Sequence, residues 1–172
     1  SEETISQKPS TAKNFRLVLS NDDINISPFS PKEKFKQNML AIQTMKKIEN
    51  EKRYATSEEQ TILSKYVGWG GLSEAFDQNK TNWSEEYSEL KELLTDDEYA
   101  SARESVLNAH YTSPIIIKFI YDVLDKFGFE KGNILEPAVG IGNFFSLLPD
   151  KMQSSKLYGV ELDSLTGRIA RL

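Results

Sequence analysis

The 172-residue chain contains no cysteine and a single histidine. The lack of cysteine excludes disulfide frameworks, thiolate metal sites and cysteine nucleophiles, and one histidine makes a histidine-rich metal site unexpected. No apolar run approaches the roughly 20 residues of a membrane span, and the polar N-terminus lacks the order of a signal peptide. We therefore expect a cytoplasmic protein that avoids the membrane and whose chemistry uses neither metal nor thiol.

The charge of the chain is acidic overall and unevenly spread. A net charge of -5 argues against this chain as the main binding surface for a nucleic-acid backbone, because affinity for phosphates needs clustered lysine and arginine. Residues 32–53 carry seven basic and three acidic side chains, whereas residues 84–104 carry two basic and eight acidic ones. The basic stretch is either a surface near DNA or a solvated helix face, and we favour the second interpretation.

The first part of the chain has helical patterns and no strand pattern. Residues 1–29 are polar, which is typical of a flexible lead-in. A hydroxyl residue followed three positions later by glutamate predicts helix starts at Ser30, Thr56 and Thr95. Apolar residues at helical spacing then predict a helical region over residues 30–107. Its helices are expected at about 33–50, from Thr56 to YVGWGGL (66–72), at 84–94, and from Thr95 to about Leu107.

The pattern changes after Asn108. Ser113 and Pro114 start a helix whose buried face we expect to carry Ile116, Ile120, Val123, Leu124 and Phe127. A strand at 133–136, a glycine loop, a short helix at 143–148 and a second strand at 156–162 follow. This order is the opening of a doubly wound, Rossmann-like α/β domain. Only two strands occur before Leu172, so residues 108–172 are interpreted as the N-terminal part of a truncated domain.

The loop between these strands has the features of a ligand site. Gly140 and Gly142 let the backbone turn sharply and approach a ligand, and helix N-terminal amides face the same space. Glu161 ends the next strand about 20 residues later, where doubly wound folds place an acid that accepts hydrogen bonds from ribose hydroxyls. The neighbouring Asp163 is better explained as the N-cap of the following helix.

The residues around the loop favour one cofactor class over another. A dinucleotide fingerprint needs a third glycine, and that position holds Phe145, so a nicotinamide cofactor is the weaker interpretation. Glu136, just before the loop, suits a cofactor with a cationic amino-acid end. His110 is interpreted as a packing or hydrogen-bonding residue, and Trp69 in YVGWGGL as a core residue at a helix stop.

Three segments together resemble a known family. ILEPAVGIGNFF (134–145) looks like motif I of N6-adenine DNA methyltransferases, LYGVELD (157–163) looks like their motif II, and NAHYTSPIII (108–117) resembles the segment that precedes motif I. With YVGWGGL, the set is similar to the large methyltransferase–helicase proteins of bacterial conjugative elements and phages. The resemblance extends from about Phe35 to the end of the chain.

The resemblance implies S-adenosyl-L-methionine as cofactor and a role for each matching residue. The wall near the methionine part would be shaped by Tyr111, Thr112 and Pro114, although Ser113 separates the last two, unlike the simplest family pattern. The methionine and sulfonium region would be lined by Glu136, Ala138, Gly140 and Gly142. Glu161 would hold the ribose, and Leu162 would lie against the adenine ring.

The family's catalytic motif, Asn/Asp-Pro-Pro-Tyr/Phe, does not occur in residues 1–172. The resemblance therefore implies a cofactor-binding fragment without catalytic residues, in a parent enzyme that methylates a flipped adenine in DNA. In the proteins it resembles, a helicase domain follows the methyltransferase domain. Two alternatives stay open at this point. One is a helical module that binds DNA or a protein, with the α/β part as scaffold; the other is a nicotinamide-dependent Rossmann enzyme.

Overall fold

A computed structural model describes residues 14–18, 29–107 and 111–172. The prediction of a mixed α/β chain with a helical front is confirmed, and between residues 29 and 107 the structure contains helices and turns but no strand. No helix in these ranges is long and apolar enough to cross a membrane. The elements are α1 (Pro31–Asn50), α2 (Ser57–Leu63), α3 (Ser84–Leu93), α4 (Asp96–Ser105), α5 (Pro114–Lys126), β1 (Asn133–Glu136), α6 (Asn143–Ser146), β2 (Lys156–Gly159) and α7 (Ser164–Ala170).

The three predicted capping boxes are confirmed. The side chains of Ser30, Thr56 and Thr95 each accept a hydrogen bond from the backbone amide three residues later, and the glutamate at that position accepts one in return. These paired bonds satisfy amides that the first helical turn leaves free. They fix where α1, α2 and α4 begin.

The helical region encloses a core built around Trp69. This side chain is 1% exposed and makes edge-to-face contacts with Phe35, Tyr66 and Phe76. The interpretation of Trp69 as a core residue is therefore confirmed. Such aromatic pairs add about 0.5–1.5 kcal/mol each beyond the area they bury, so Trp69 contributes to the stability of the helical region.

The second half contains a small parallel sheet and its own apolar cluster. Strand β1 pairs with β2 in the register Asn133 with Lys156 through Glu136 with Gly159. Helix α5 packs beside the sheet through Ile117 and Tyr121, which join Leu148 and Met152 in the cluster. Strand β2 ends at Gly159, three residues before the predicted end.

The predicted buried face of α5 is wrong for three of its five residues, whereas Leu124 packs against the apolar cluster as expected. Ile116 and Phe127 are 53% and 83% exposed and Ile120 is 37% exposed, whereas Ile117 and Tyr121 are buried. The helix is apolar around most of its circumference, so more than one stripe satisfies the helical period. The neighbouring elements cover the stripe that contains Ile117.

The last helix joins the two halves. Leu165 and Ile169 of α7 belong to the helical core rather than to the cluster beneath the sheet. Arg168, also on α7, is paired with Glu49 of α1 and Glu98 of α4, at 2.5 Å in each case. The expected boundary near residue 108 therefore does not separate two independent cores.

Part of the predicted lead-in lies against the α/β half. The backbone amide of Leu17 donates to the carbonyl of Ser146 at 3.0 Å, and Arg16 pairs with Asp150 at 2.8 Å. The remaining lead-in positions 1–13 and 19–28 lie outside the described residues. So do residues 108–110, and with them the interpretation of His110.

Candidate functional site

A cavity of about 780 Å³ lies where the helical region meets the α/β half. Its walls come from the segment after α2, from α4, from the stretch before α5, from the glycine loop and from the end of β2. The lining residues are Tyr66, Gly68, Ser101, Glu104, Ser105, Tyr111, Thr112, Glu136, Ala138, Val139, Gly140, Asn143, Phe144, Glu161, Leu162, Asp163 and Thr166. This volume suits a small-molecule ligand.

The structure brings together seven of the nine residues that the sequence marks as a site. These are Tyr111, Thr112, Glu136, Ala138, Gly140, Glu161 and Leu162. Two others lie apart from this lining. Pro114 is the first residue of α5, and Gly142 lines a separate cavity of about 350 Å³. Their predicted positions at the ligand wall are therefore not seen, although Gly142 shapes the loop that carries Gly140.

The glycine loop is tight and depends on its glycines. Gly140 and Gly142 have φ values of +56° and +86°, a region that residues with a side chain rarely adopt. A Cβ atom at Gly140 would lie 2.8 Å from Cε1 of Tyr111, whereas a Cβ at Gly142 would meet nothing within 4 Å. Gly140 is thus required both by backbone conformation and by the close approach of Tyr111.

Glu161 is held in place by the backbone. One carboxylate oxygen accepts from the amide of Gly140 at 2.9 Å, and the other accepts from the amide of Asp163 at 2.9 Å. Each carboxylate oxygen has a second lone pair, so the group retains capacity to accept hydrogen bonds from a ligand. The glycine loop and the end of the second strand are therefore coupled through this one side chain.

Asp163 has the capping role expected from the sequence. Its side chain accepts from the backbone amide of Thr166 at 2.8 Å, from the Thr166 hydroxyl, and from the Ser101 hydroxyl at 2.9 Å. The first two bonds start α7, and the third ties that start to α4. With three donors on its carboxylate, Asp163 is satisfied by the protein itself.

The helical region supplies a wall that sequence reasoning missed. Asn38 of α1 is fully buried; its amide donates to the Gly68 carbonyl at 2.6 Å, and its oxygen accepts from the Val67 amide at 2.9 Å. This pair of bonds holds the chain so that Tyr66 and Gly68 face the cavity. The YVGWGGL segment was the only sign of this wall in the sequence, and its residues alone do not show which part of the chain they contact.

The two tyrosines in the lining stay protonated at neutral pH. Burial, opposed by the Thr166 hydroxyl and assisted by the charges of Glu161 and Asp163, raises the pKa of Tyr111 to about 12. Burial also raises the pKa of Tyr66. Both phenols therefore keep their O–H donor at neutral pH.

The charged residues that line the cavity are all acidic. Glu104, Glu136, Glu161 and Asp163 contribute carboxylates, and no lysine or arginine is among the described residues of the lining. These carboxylates do not form a metal site, since the described ranges contain no group of three or more histidine, cysteine or acidic residues placed to hold a metal ion. Such a lining favours a ligand that carries positive charge and hydroxyl groups over one that carries phosphates.

Two side chains of the basic stretch over residues 32–53 form ion pairs within the protein. Lys46 donates to Glu98 of α4 at 2.6 Å and to the Leu93 carbonyl at 2.6 Å. Arg53 forms a bidentate salt bridge with Glu59, with N–O distances of 2.5 and 2.6 Å, and the Arg53 side chain is 9% exposed. The preferred interpretation of this stretch as a solvated face is therefore wrong for these two side chains, whereas Lys36, Lys47 and Lys52 are exposed.

Comparison of the chain with protein families, with curated proteins and with solved structures finds no match. A functional assignment of the cavity must therefore rest on its own chemistry. That chemistry combines a glycine loop, an acid fixed two residues after the second strand, two protonated phenols and an acidic lining.

Proposed function

We propose that this chain supplies the cofactor-binding half of an S-adenosyl-L-methionine-dependent DNA adenine-N6 methyltransferase. The observation that carries the proposal is the convergence of seven motif residues on one cavity whose charged lining is acidic. These residues come from three separate segments, 111–112, 136–140 and 161–162. A pocket on which a few polar groups from separate segments converge is the default candidate for a ligand site.

The residues present fit this cofactor in charge and hydrogen-bonding capacity. S-adenosyl-L-methionine has a sulfonium and an ammonium group, and acidic side chains stabilise both cations. Glu136 at the end of β1 is placed to face the cationic end, and Glu161 retains acceptor capacity for ribose hydroxyls. Leu162 follows Glu161 directly and is fully exposed, so its side chain is free to pack against the adenine ring of the cofactor. When bound, the cofactor supplies an electrophilic methyl group.

The lining weighs against the nicotinamide alternative. A dinucleotide brings a pyrophosphate, which needs amides, a helix N-terminus or cations to offset its charge. Here the Gly140 amide is taken by Glu161, and the helix after the loop, α6, spans only Asn143–Ser146. Four carboxylates around the same space would repel the phosphates.

We assign methyl transfer and the main DNA contacts to other parts of the proposed parent enzyme, and we propose a fused helicase domain as one of them. Residues 1–172 contain no Asn/Asp-Pro-Pro-Tyr/Phe motif. The α/β half also exposes apolar side chains on α5 and on its sheet, among them Phe119 at 65%, Leu135 at 63% and Tyr158 at 50%. Exposed apolar surface of this kind is typical of faces that pack against further protein.

Ligand binding to the 172-residue chain tests the proposal. Two-dimensional NMR of backbone amides detects even millimolar affinity, and the ligands to compare are S-adenosyl-L-methionine, S-adenosyl-L-homocysteine and NAD. We expect both methionine-derived ligands to shift the amides of Gly140 and Asp163, which bond to Glu161. NAD should leave them unchanged.

Substitution of Glu161 sharpens this test. Glu161→Gln keeps the size of the side chain but replaces one acceptor oxygen with a donor amide, so binding should weaken about tenfold or more, the effect of losing one or two charge-assisted hydrogen bonds. Glu130→Gln, at an exposed position outside the cavity lining, is the matched control. Equal affinity in both variants, or a preference for NAD, would contradict the proposed function.

A further inference from the structure

The YVGWGGL segment has a structural role and one feature that this role leaves unexplained. Asn38 holds its backbone at residues 67 and 68, and the Gly71 amide donates to the Val106 carbonyl at 3.2 Å. Trp69 fills the core. Tyr66, the first residue of the segment, instead lines the cavity between the helical region and the α/β half.

The Tyr66 hydroxyl lacks a hydrogen-bond partner. The residue is 1% exposed, and neither its oxygen nor the nearby indole nitrogen of Trp69 has a hydrogen-bond partner of acceptable geometry among the described residues, although the Thr166 hydroxyl also lies near the phenol. A buried polar group without a partner is costly and is rare in folded proteins. Phenylalanine would pack in the same place without that cost, so the hydroxyl calls for a functional explanation.

The composition of the lining limits what this hydroxyl can meet. The described lining contains no basic side chain, so a ligand carboxylate there must be held by neutral donors. The Gly140 amide is already bonded to Glu161, and the Ala138 amide to Glu136 at 3.3 Å. A protonated phenol is a neutral donor, and Tyr66 lies beside a second one, Tyr111.

We propose that Tyr66 is a ligand-binding residue whose hydroxyl donates to the carboxylate of the methionine end of the bound cofactor. The helical region is then one wall of the cofactor site and not only a support for it. This inference rests on the proposed function, since it assumes a ligand with an amino-acid end. The YVGWGGL segment then adds a second phenol donor beside that of Tyr111.

Calorimetry with two ligands on the full 172-residue chain tests the inference. S-adenosyl-L-homocysteine carries the amino-acid end, and 5′-methylthioadenosine lacks it. Tyr66→Phe should weaken binding of the first about tenfold and leave the affinity for the second unchanged, because a hydrogen bond to a charged group is lost only in the first case. Tyr87→Phe is the control, since Tyr87 is a half-buried tyrosine that lines a different cavity.

Thermal unfolding supplies a second readout. Without ligand, Tyr66→Phe should raise the Tm by a few degrees, because removal of an unpaired buried hydroxyl relieves about 1 kcal/mol or more, and 1 kcal/mol shifts the Tm of a chain this size by about 2–4 °C. Unchanged affinity for S-adenosyl-L-homocysteine overturns the inference. Equal loss for both ligands also overturns it, because Tyr66 would then contact the nucleoside. Failure of the unmodified chain to bind either ligand counts instead against the proposed function.

Discussion

Replacement of Glu98 should weaken the packing of the helical region against α7 and lower the free energy of unfolding. It lies at the third position of α4 and is 9% exposed. Its carboxylate accepts from Lys46 of α1 at 2.6 Å and from Arg168 of α7 at 2.5 Å. It also accepts from the Thr95 amide at 2.9 Å in the capping box. One group thus connects three helices, including the one that follows the cavity wall at Asp163.

The pKa of Glu98 gives the size of its contribution to the free energy of unfolding. Burial alone raises this pKa, but hydrogen bonds from Lys46, Thr95 and Arg168 together lower it from 4.5 to about 2. A difference of about 2.5 pKa units corresponds to about 3 kcal/mol of free energy of unfolding. Because the folded-state pKa is the lower one, this stabilisation is fully present above about pH 4.5 and is lost as the pH falls toward 2.

Glu98→Gln tests this reasoning, since glutamine can still complete the capping box but carries no charge. Urea unfolding at pH 7 should show a loss of about 3 kcal/mol relative to the unmodified chain, and the difference should narrow to about 1 kcal/mol at pH 3. Glu85→Gln, at an exposed position of α3, should cost little at either pH. A loss that is independent of pH would refute the assignment of the stabilisation to the ionised carboxylate.

Two further substitutions have clear expected outcomes. Gly140→Ala should lower the free energy of unfolding by more than Gly142→Ala does, because only the first substitution adds a clash with Tyr111. Gly142→Ala should cost only the roughly 1–2 kcal/mol of a left-handed backbone. Urea unfolding of both variants measures the difference, and equal losses would contradict this reasoning. Asn38→Ala should lower the free energy of unfolding by about 2–4 kcal/mol, because it leaves two backbone groups of the 66–68 segment unpaired. A loss below 1 kcal/mol in the same assay would show that aromatic packing holds the segment instead.

Elements with local signals were predictable from the sequence. A capping box needs only residues three positions apart, so the starts at Ser30, Thr56 and Thr95 could be located without knowledge of the fold. Asp163 is a similar case, since an acid just before a helix caps it whatever lies nearby. The convergence of the glycine loop and Glu161 followed from chain order, because the carboxyl ends of neighbouring parallel strands meet at one edge.

Properties that depend on distant partners were not predictable. Helix α5 offers more than one apolar stripe, and only the position of its neighbours decides that Ile117 and Tyr121 are buried while Phe119 is exposed. The charges of α1 present the same difficulty. Lys46 reads as a surface residue in sequence, and its burial beside Glu98 depends on a helix about 50 positions away.

The wall formed by the helical region follows from the same long-range packing. Change of pattern near residue 108 suggests a boundary, yet α7 buries Leu165 and Ile169 in the helical core and pairs Arg168 with Glu49 and Glu98. Division of the chain at that boundary would expose those two apolar side chains, break the ion pairs and separate Tyr66 from Glu161. A cofactor site built on residues 111–172 alone would therefore lack both a wall and the contacts that hold its last helix. Under the proposed function, the helical region is part of the site that binds the cofactor.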